Sequence, residues 1–150
     1  MNPPNPEPPT PISDQQIKHL EFIQAIVTRL GNGSFLIKGW TLTVGGIFFG
    51  LLAKDLSWKV ALTGFVPIIG FWLLDSYYLR QERLFRKLYD EVRVPQSTIE
   101  PFAMAVQIYH PTVPWFSVIT SHTMRNFYGT LLLVNLAFFI GGIIANSAPR

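Results

Sequence analysis

From Ser13 to Leu30 apolar residues return at helical intervals, with Ile17, Leu20, Ile23, Val27 and Leu30 on one face and charged or amide side chains between them. Ser13 followed by Gln16 fits a capping box and Gly31-Asn32-Gly33 supplies a stop, so an amphipathic helix is expected over 13–31. Its polar face is not strongly basic, which favours packing against another helix over lying on a membrane surface. The periodicity then gives way to three nearly continuous apolar stretches: "FLIKGWTLTVGGIFFGLLA" at 35–53, "WKVALTGFVPIIGFWLLDSYYL" at 58–79 and "FYGTLLLVNLAFFIGGIIANS" at 127–147. Each meets the length of about twenty mostly apolar residues that a helix needs to cross a bilayer. The first two are separated only by a short turn near residue 56 and predict a transmembrane hairpin over 34–79.

Beyond residue 79 the helical spacing persists while its character changes. Leu84, Leu88 and Val92 make a narrow apolar line opposite Arg80, Arg83, Arg86, Lys87 and Arg93, and Glu82 precedes Arg86 by four residues. The second span is therefore expected to leave the membrane as one helix and continue into the cytosol. Residues 95–126 carry apolar, aromatic and β-branched runs, "FAMAVQIY" and "PWFSVITS", bounded by Pro95, Pro101, Pro111 and Pro114, a pattern that allows short strands or irregular interfacial segments. The opening "MNPPNPEPPTP" holds six prolines in eleven residues and predicts a disordered tail over 1–12, without the basic start and apolar core of a secretory signal.

Composition agrees with this outline: 49% of residues are hydrophobic against 14% charged, and the mean hydropathy is +0.28. That is a membrane-protein balance, since a soluble chain of 150 residues would have too little polar surface to cover three such helices. The expected fold class is an all-α integral membrane protein. It has three transmembrane helices, an N-terminal amphipathic helix, a second span continuing into a cytosolic helix, and a short irregular or β segment over 95–126. The sequence thus divides into the tail, the amphipathic helix, the hairpin, a cytoplasmic region over 80–126 and a third span over 127–147.

Basic residues set the orientation. Lys18, Arg29 and Lys38 precede or open the first span, and Arg80, Arg83, Arg86, Lys87, Arg93 and Arg125 lie between the second and third, whereas Lys54, Lys59 and Arg150 fall on the other side. The positive-inside rule then places the N-terminus in the cytoplasm of a bacterial inner membrane and the C-terminus in the periplasm. Lys38 lies about as far before the hairpin turn as Asp75 lies after it, so the two are candidates for a cross-helix structural pair. Alternatively Lys38 snorkels to the interface and Asp75 meets Arg80 or water. Gly46 with Gly50 in the first span, and Ala137, Gly141 and Ala145 in the third, make small-residue seams suited to close helix packing, within one chain or between copies. A homo-oligomer is expected, with four subunits as the anticipated number.

Catalytic chemistry finds little support. The chain has no cysteine, its three histidines stand on separate segments, and Gly31-Asn32-Gly33 lacks the lysine and preceding strand of a phosphate loop. No catalytic residue, metal or cofactor is expected. Tyr128, Asn135, Gly142 and Asn146 share one stripe of the third span. An amide such as Asn135 must face protein or water there, which leaves an interhelical hydrogen bond and a pore lining as alternatives. The basic stripe Arg80, Arg83, Arg86, Lys87 and Arg93 suits a solvated face beside anionic lipid heads. If several subunits gather it into a collar, it suits the phosphates of a nucleotide or oligonucleotide.

The strings "SFLIKGWTLT", "FWLLDSYYLRQERLFRKLYDEVR", "PFAMAV" and "SHTMRNFYGTLLL" resemble a family of small bacterial multi-span membrane proteins over nearly the whole chain after the tail. In architecture the chain is similar to the membrane channel effectors of antiphage systems of the Hailong type, the channel-forming partners of a nucleotidyltransferase. That resemblance implies an oligomeric channel gated from the cytoplasm by a nucleotide ligand, with Arg80, Arg83, Arg86 and Lys87 as ligand contacts and the third span as pore wall. The competing reading is a non-conducting membrane adaptor that anchors a cytosolic partner through 13–31 and 80–93.

Overall fold

The computed structural model describes residues 12–95 and 97–147. The predicted disordered tail, apart from Ile12, and the basic Arg150 lie outside the described residues.

Two long antiparallel helices form the frame. The first, α1, runs Asp14–Lys54 and the second, α2, runs Trp58–Val92, joined by the turn at 55–57. Ser13 caps α1 by accepting from the Gln16 amide at 3.2 Å. The Gln16 side chain does not complete the box. Its Nε2 reaches across to donate to the carbonyls of Val92 at 2.5 Å and Val94 at 3.0 Å, fastening the start of α1 to the end of α2.

Gly31-Asn32-Gly33 does not end the first helix, contrary to expectation. The buried positions of α1 are His19, Ile23, Val27, Ser34, Ile37, Thr41, Gly45 and Leu52, a single stripe at helical spacing that passes straight through the glycines. A separate amphipathic helix over 13–31 is thus replaced by one helix of 41 residues. Burial on both sides of residue 32 outweighs the weak local preference of Gly-Asn-Gly for a cap, and no glycine among the described residues takes a positive φ. The close approach of α2 uses the missing side chain: a Cβ on Gly33 would sit 2.7 Å from the Tyr78 ring.

The second helix is continuous through Pro67, as long as the sequence pattern anticipated. After it the chain folds back along 97–121. The region over 95–126 holds no strand among the described residues. It contains a 3-10 turn at Gln107–Tyr109 and a short helix α3 at Trp115–Ile119, and the last helix, α4, spans His122–Ser147, beginning five residues before the expected 127. Val106 and Val118, from the runs that allowed short strands, are buried instead in one cluster with Val113, Ile23, Val27, Leu84, Leu88 and Val92. Prolines at 101, 111 and 114 break the segment into pieces too short to pair.

Helix α4 packs on α2 around Ile68, Met124 and Tyr128, so α2 lies between α1 and α4. Three helices, α1, α2 and α4, are long and apolar enough to cross a membrane. Large apolar side chains project outward from them, including Phe35, Trp40, Val66 and Leu133. Such a surface suits lipid and points to a membrane location. The halves of α1 and α2 remote from the turn, with 97–119, form a second, separate apolar core, a stalk on the three-helix bundle.

Candidate functional site

The polar side chains that the fold gathers lie where the stalk meets the apolar bundle. Ser34 lies on the buried stripe of α1 and Lys38 one turn further at its border, and both reach Asp75 on α2. Asp75 is 0% exposed. Its Oδ1 accepts from the Ser34 hydroxyl, and its Oδ2 accepts from Lys38 Nζ at 2.5 Å and from the Tyr128 hydroxyl of α4 at 3.0 Å. Lys38 Nζ also donates to Ser34 Oγ at 2.9 Å, and the lysine side chain is 20% exposed. One carboxylate thereby binds donors from both neighbouring helices. Such saturation offsets the cost of removing the ions from water, which an unpaired charge could not do.

Aromatic packing holds the third donor. The Trp72 ring stacks on Tyr128 at 5.9 Å with 6° between planes, and its indole N–H donates to the Ile119 carbonyl at 3.2 Å. Trp72 is one turn before Asp75 on α2, so the same helix supplies the carboxylate and the platform that aims the phenol at it. Thr41, a turn beyond Lys38, satisfies itself by donating to the Ile37 carbonyl at 2.8 Å. The Ser76 hydroxyl is buried with no hydrogen-bond partner among the described residues.

Lys38 and Asp75 therefore meet as a pair, while the other residues singled out from the sequence do not converge. Arg80 turns inward: its Nε donates to the Val113 carbonyl at 3.0 Å and its guanidinium lies 5.8 Å from the Trp115 ring centre. Arg86 pairs with Glu82 at 2.6 Å and Arg93 with Asp90 at 3.5 Å. Arg80, Arg83 and Lys87 carry no ion-pair partner among the described residues, and of these Arg80 is held by its carbonyl bond instead. Within one protomer the basic stripe is thus mostly committed to its own chain.

The third-span stripe also faces inward. Tyr128, Asn135 and Gly142 are buried within the protomer, and Asn146 beyond them is exposed. Asn135 Nδ2 donates to the Ala61 carbonyl at 3.0 Å, so of its two alternatives the interhelical hydrogen bond is the one formed. Gly64 makes room for that amide, since a Cβ there would lie 2.8 Å from Asn135 Oδ1, and a Cβ on Gly142 would lie 2.6 Å from the Trp58 amide nitrogen. In this packing Tyr128, Asn135 and Gly142 seat α4 on α2 within one protomer. The anticipated seams differ in use. Gly46 and Gly50 look outward with nothing within 4 Å of an added Cβ, an added Cβ on Gly141 would lie 3.4 Å from Leu56 Cδ2, and Ala137 and Ala145 are exposed.

Sequence reasoning missed Ser34 and gave Tyr128 a different role. The i, i+4 spacing of Ser34 and Lys38 was a usable signal, because any partner reaching one can reach the other. No protein family, no curated protein and no solved structure matches the chain.

Proposed function

We propose that the chain is a homo-oligomeric membrane adaptor: a three-span anchor that carries a helical stalk for a partner outside the bilayer and conducts no ions by itself. The observation that carries this reading is the second core. Ile23, Val27, Leu84, Leu88 and Val92 pack with Val106, Tyr109 and Val113 beyond the three-helix bundle, so the extensions of α1 and α2 are built as a rigid projecting unit. The Asp75 cluster fixes the stalk to the spans at their junction. On the stalk, Arg83 and Lys87 remain available to an acidic partner surface or a phosphate-bearing ligand.

A second reading, the ligand-gated channel of an antiphage effector, keeps one supporting observation. Along α1, Gly39, Gly46 and Gly50 present an open outward face that lets helices of neighbouring copies approach closely. Purified protein reconstituted into liposomes with a potential-sensitive dye separates the two. The adaptor leaves a potassium diffusion potential intact, with and without added nucleotides, whereas its collapse at protein-dependent rates overturns the adaptor in favour of the channel. The mass of the detergent-solubilised complex tests the oligomer in both, and a monomer removes it.

A further inference from the structure

Between α2 and α4, on the outer surface of the bundle, runs a groove of about 790 Å³. Its chemistry is graded along its length. At the end near the stalk stand Arg125, Asn126 and Thr130, and toward the other end it is walled by Phe65, Leu133 and Leu136. No acidic side chain lines it, and Arg125 has no ion-pair partner among the described residues. Arg125 to Leu136 spans eleven helical steps, roughly 16 Å of rise. That is about the hydrocarbon depth of one leaflet, or ~15 Å. The floor is open at Gly129, where an added Cβ meets nothing within 4 Å.

We propose that this groove binds an anionic phospholipid, with its phosphate on the Arg125 guanidinium and one acyl chain lying along Phe65, Leu133 and Leu136. The arginine fork matches two phosphate oxygens, and the exposed Thr130 hydroxyl is already donated to the Asn126 carbonyl, so the cation dominates head-group recognition. A lone cation with no acid beside it selects a net negative head group over a zwitterionic one, whose ammonium would find no counter-charge. The apolar wall selects a lipid over a free phosphate. This site rests on the membrane location but not on the adaptor reading, since a channel would carry the same groove.

The test is native mass spectrometry of the delipidated full chain in detergent, titrated separately with phosphatidylglycerol, phosphatidylcholine and glycerol phosphate. Solubility without any amphiphile would refute the membrane location itself, before lipid is added. The expected result is one saturable phosphatidylglycerol per protomer, with phosphatidylcholine binding roughly tenfold weaker or more and glycerol phosphate failing to compete. Arg125→Gln is expected to lower phosphatidylglycerol affinity by about tenfold or more, the scale of a charge-assisted hydrogen bond. Gly129→Leu, whose Cβ would meet nothing within 4 Å and whose longer side chain would occupy the floor, is expected to abolish the adduct at unchanged thermal stability. Wild-type lipid binding by both variants overturns the site. So does equal binding of phosphatidylcholine, or a Gly129→Leu variant whose oligomeric mass changes while its lipid adduct does not, which would give the groove to a second copy.

Discussion

Three side chains from two helices converge on the Asp75 carboxylate, and each was present in the sequence as an ordinary polar residue at the edge of an apolar run. The pairing of Lys38 with Asp75 was legible because depth in a hairpin follows from counting residues away from its turn. The share of Tyr128 was not, since nothing in a sequence fixes the rotation of a third helix about its axis. The geometry makes a definite energetic statement. Asp75→Asn leaves the Lys38 ammonium without its counter-charge, and Lys38→Met leaves the carboxylate with hydroxyl donors alone. Each single change is expected to destabilise the protein by roughly 3–5 kcal/mol, as removal of one partner of a buried pair does. The double variant Lys38→Met/Asp75→Asn removes both charges and is expected to recover much of that loss. Thermal unfolding in one detergent, compared across the four proteins of the cycle, measures the coupling. Strict additivity of the two single losses would show that the pair contributes nothing as a pair.

At the scale of elements, the long helices were legible in type and the boundaries were not. The stop expected at Gly31-Asn32-Gly33 failed because the buried stripe of α1 continues through Ser34, Thr41 and Gly45, polar or small residues that an apolar periodicity does not register. The same blindness delayed the start of α4, whose first buried residue, Met124, sits among Thr123, Arg125 and Asn126. The segment over 97–119 was the least legible, because its apolar residues are buried singly against α2 and carry no period of their own. What fastens it can be tested. The Tyr109 hydroxyl donates to Glu91 Oε2 at 2.6 Å. Burial, reinforced by the neighbouring Glu91 carboxylate, pushes this phenol up from 10.0 to about 12. A folded pKa above the unfolded one means that folding favours the neutral phenol. Its contribution is fully present below pH 10.0 and is lost as the pH rises through about 12. The melting temperature is therefore expected to fall more steeply across that window in the wild type than in Tyr109→Phe, with the two running parallel at neutral pH. Parallel curves throughout would mean that the hydroxyl does not hold the segment to α2.

For the whole molecule, the decisive quantity is length. Helix α1 has 41 residues. At ~1.5 Å per residue such a helix extends roughly 60 Å, about twice the ~30 Å hydrocarbon core of a bilayer, so close to half of it must stand outside. The outer half cannot be the one near the turn, because α2 begins and α4 ends beside that turn, with Gly142 against Trp58, and only 97–121 returns along the other half. The stalk is then expected on one side of the membrane and the end of α4 on the other. The absence of cysteine makes this directly measurable, since a single introduced thiol reports without background. In sealed membrane vesicles an impermeant maleimide is expected to label Gln15→Cys and Thr112→Cys from one side and Ser147→Cys only from the opposite side, all three positions being exposed. Labelling of Gln15→Cys and Ser147→Cys from the same side would mean that α4 does not cross. The Asn135 amide, bonded to Ala61 halfway along α4, would then need a different explanation, because a helix lying at the surface has no reason to bury it.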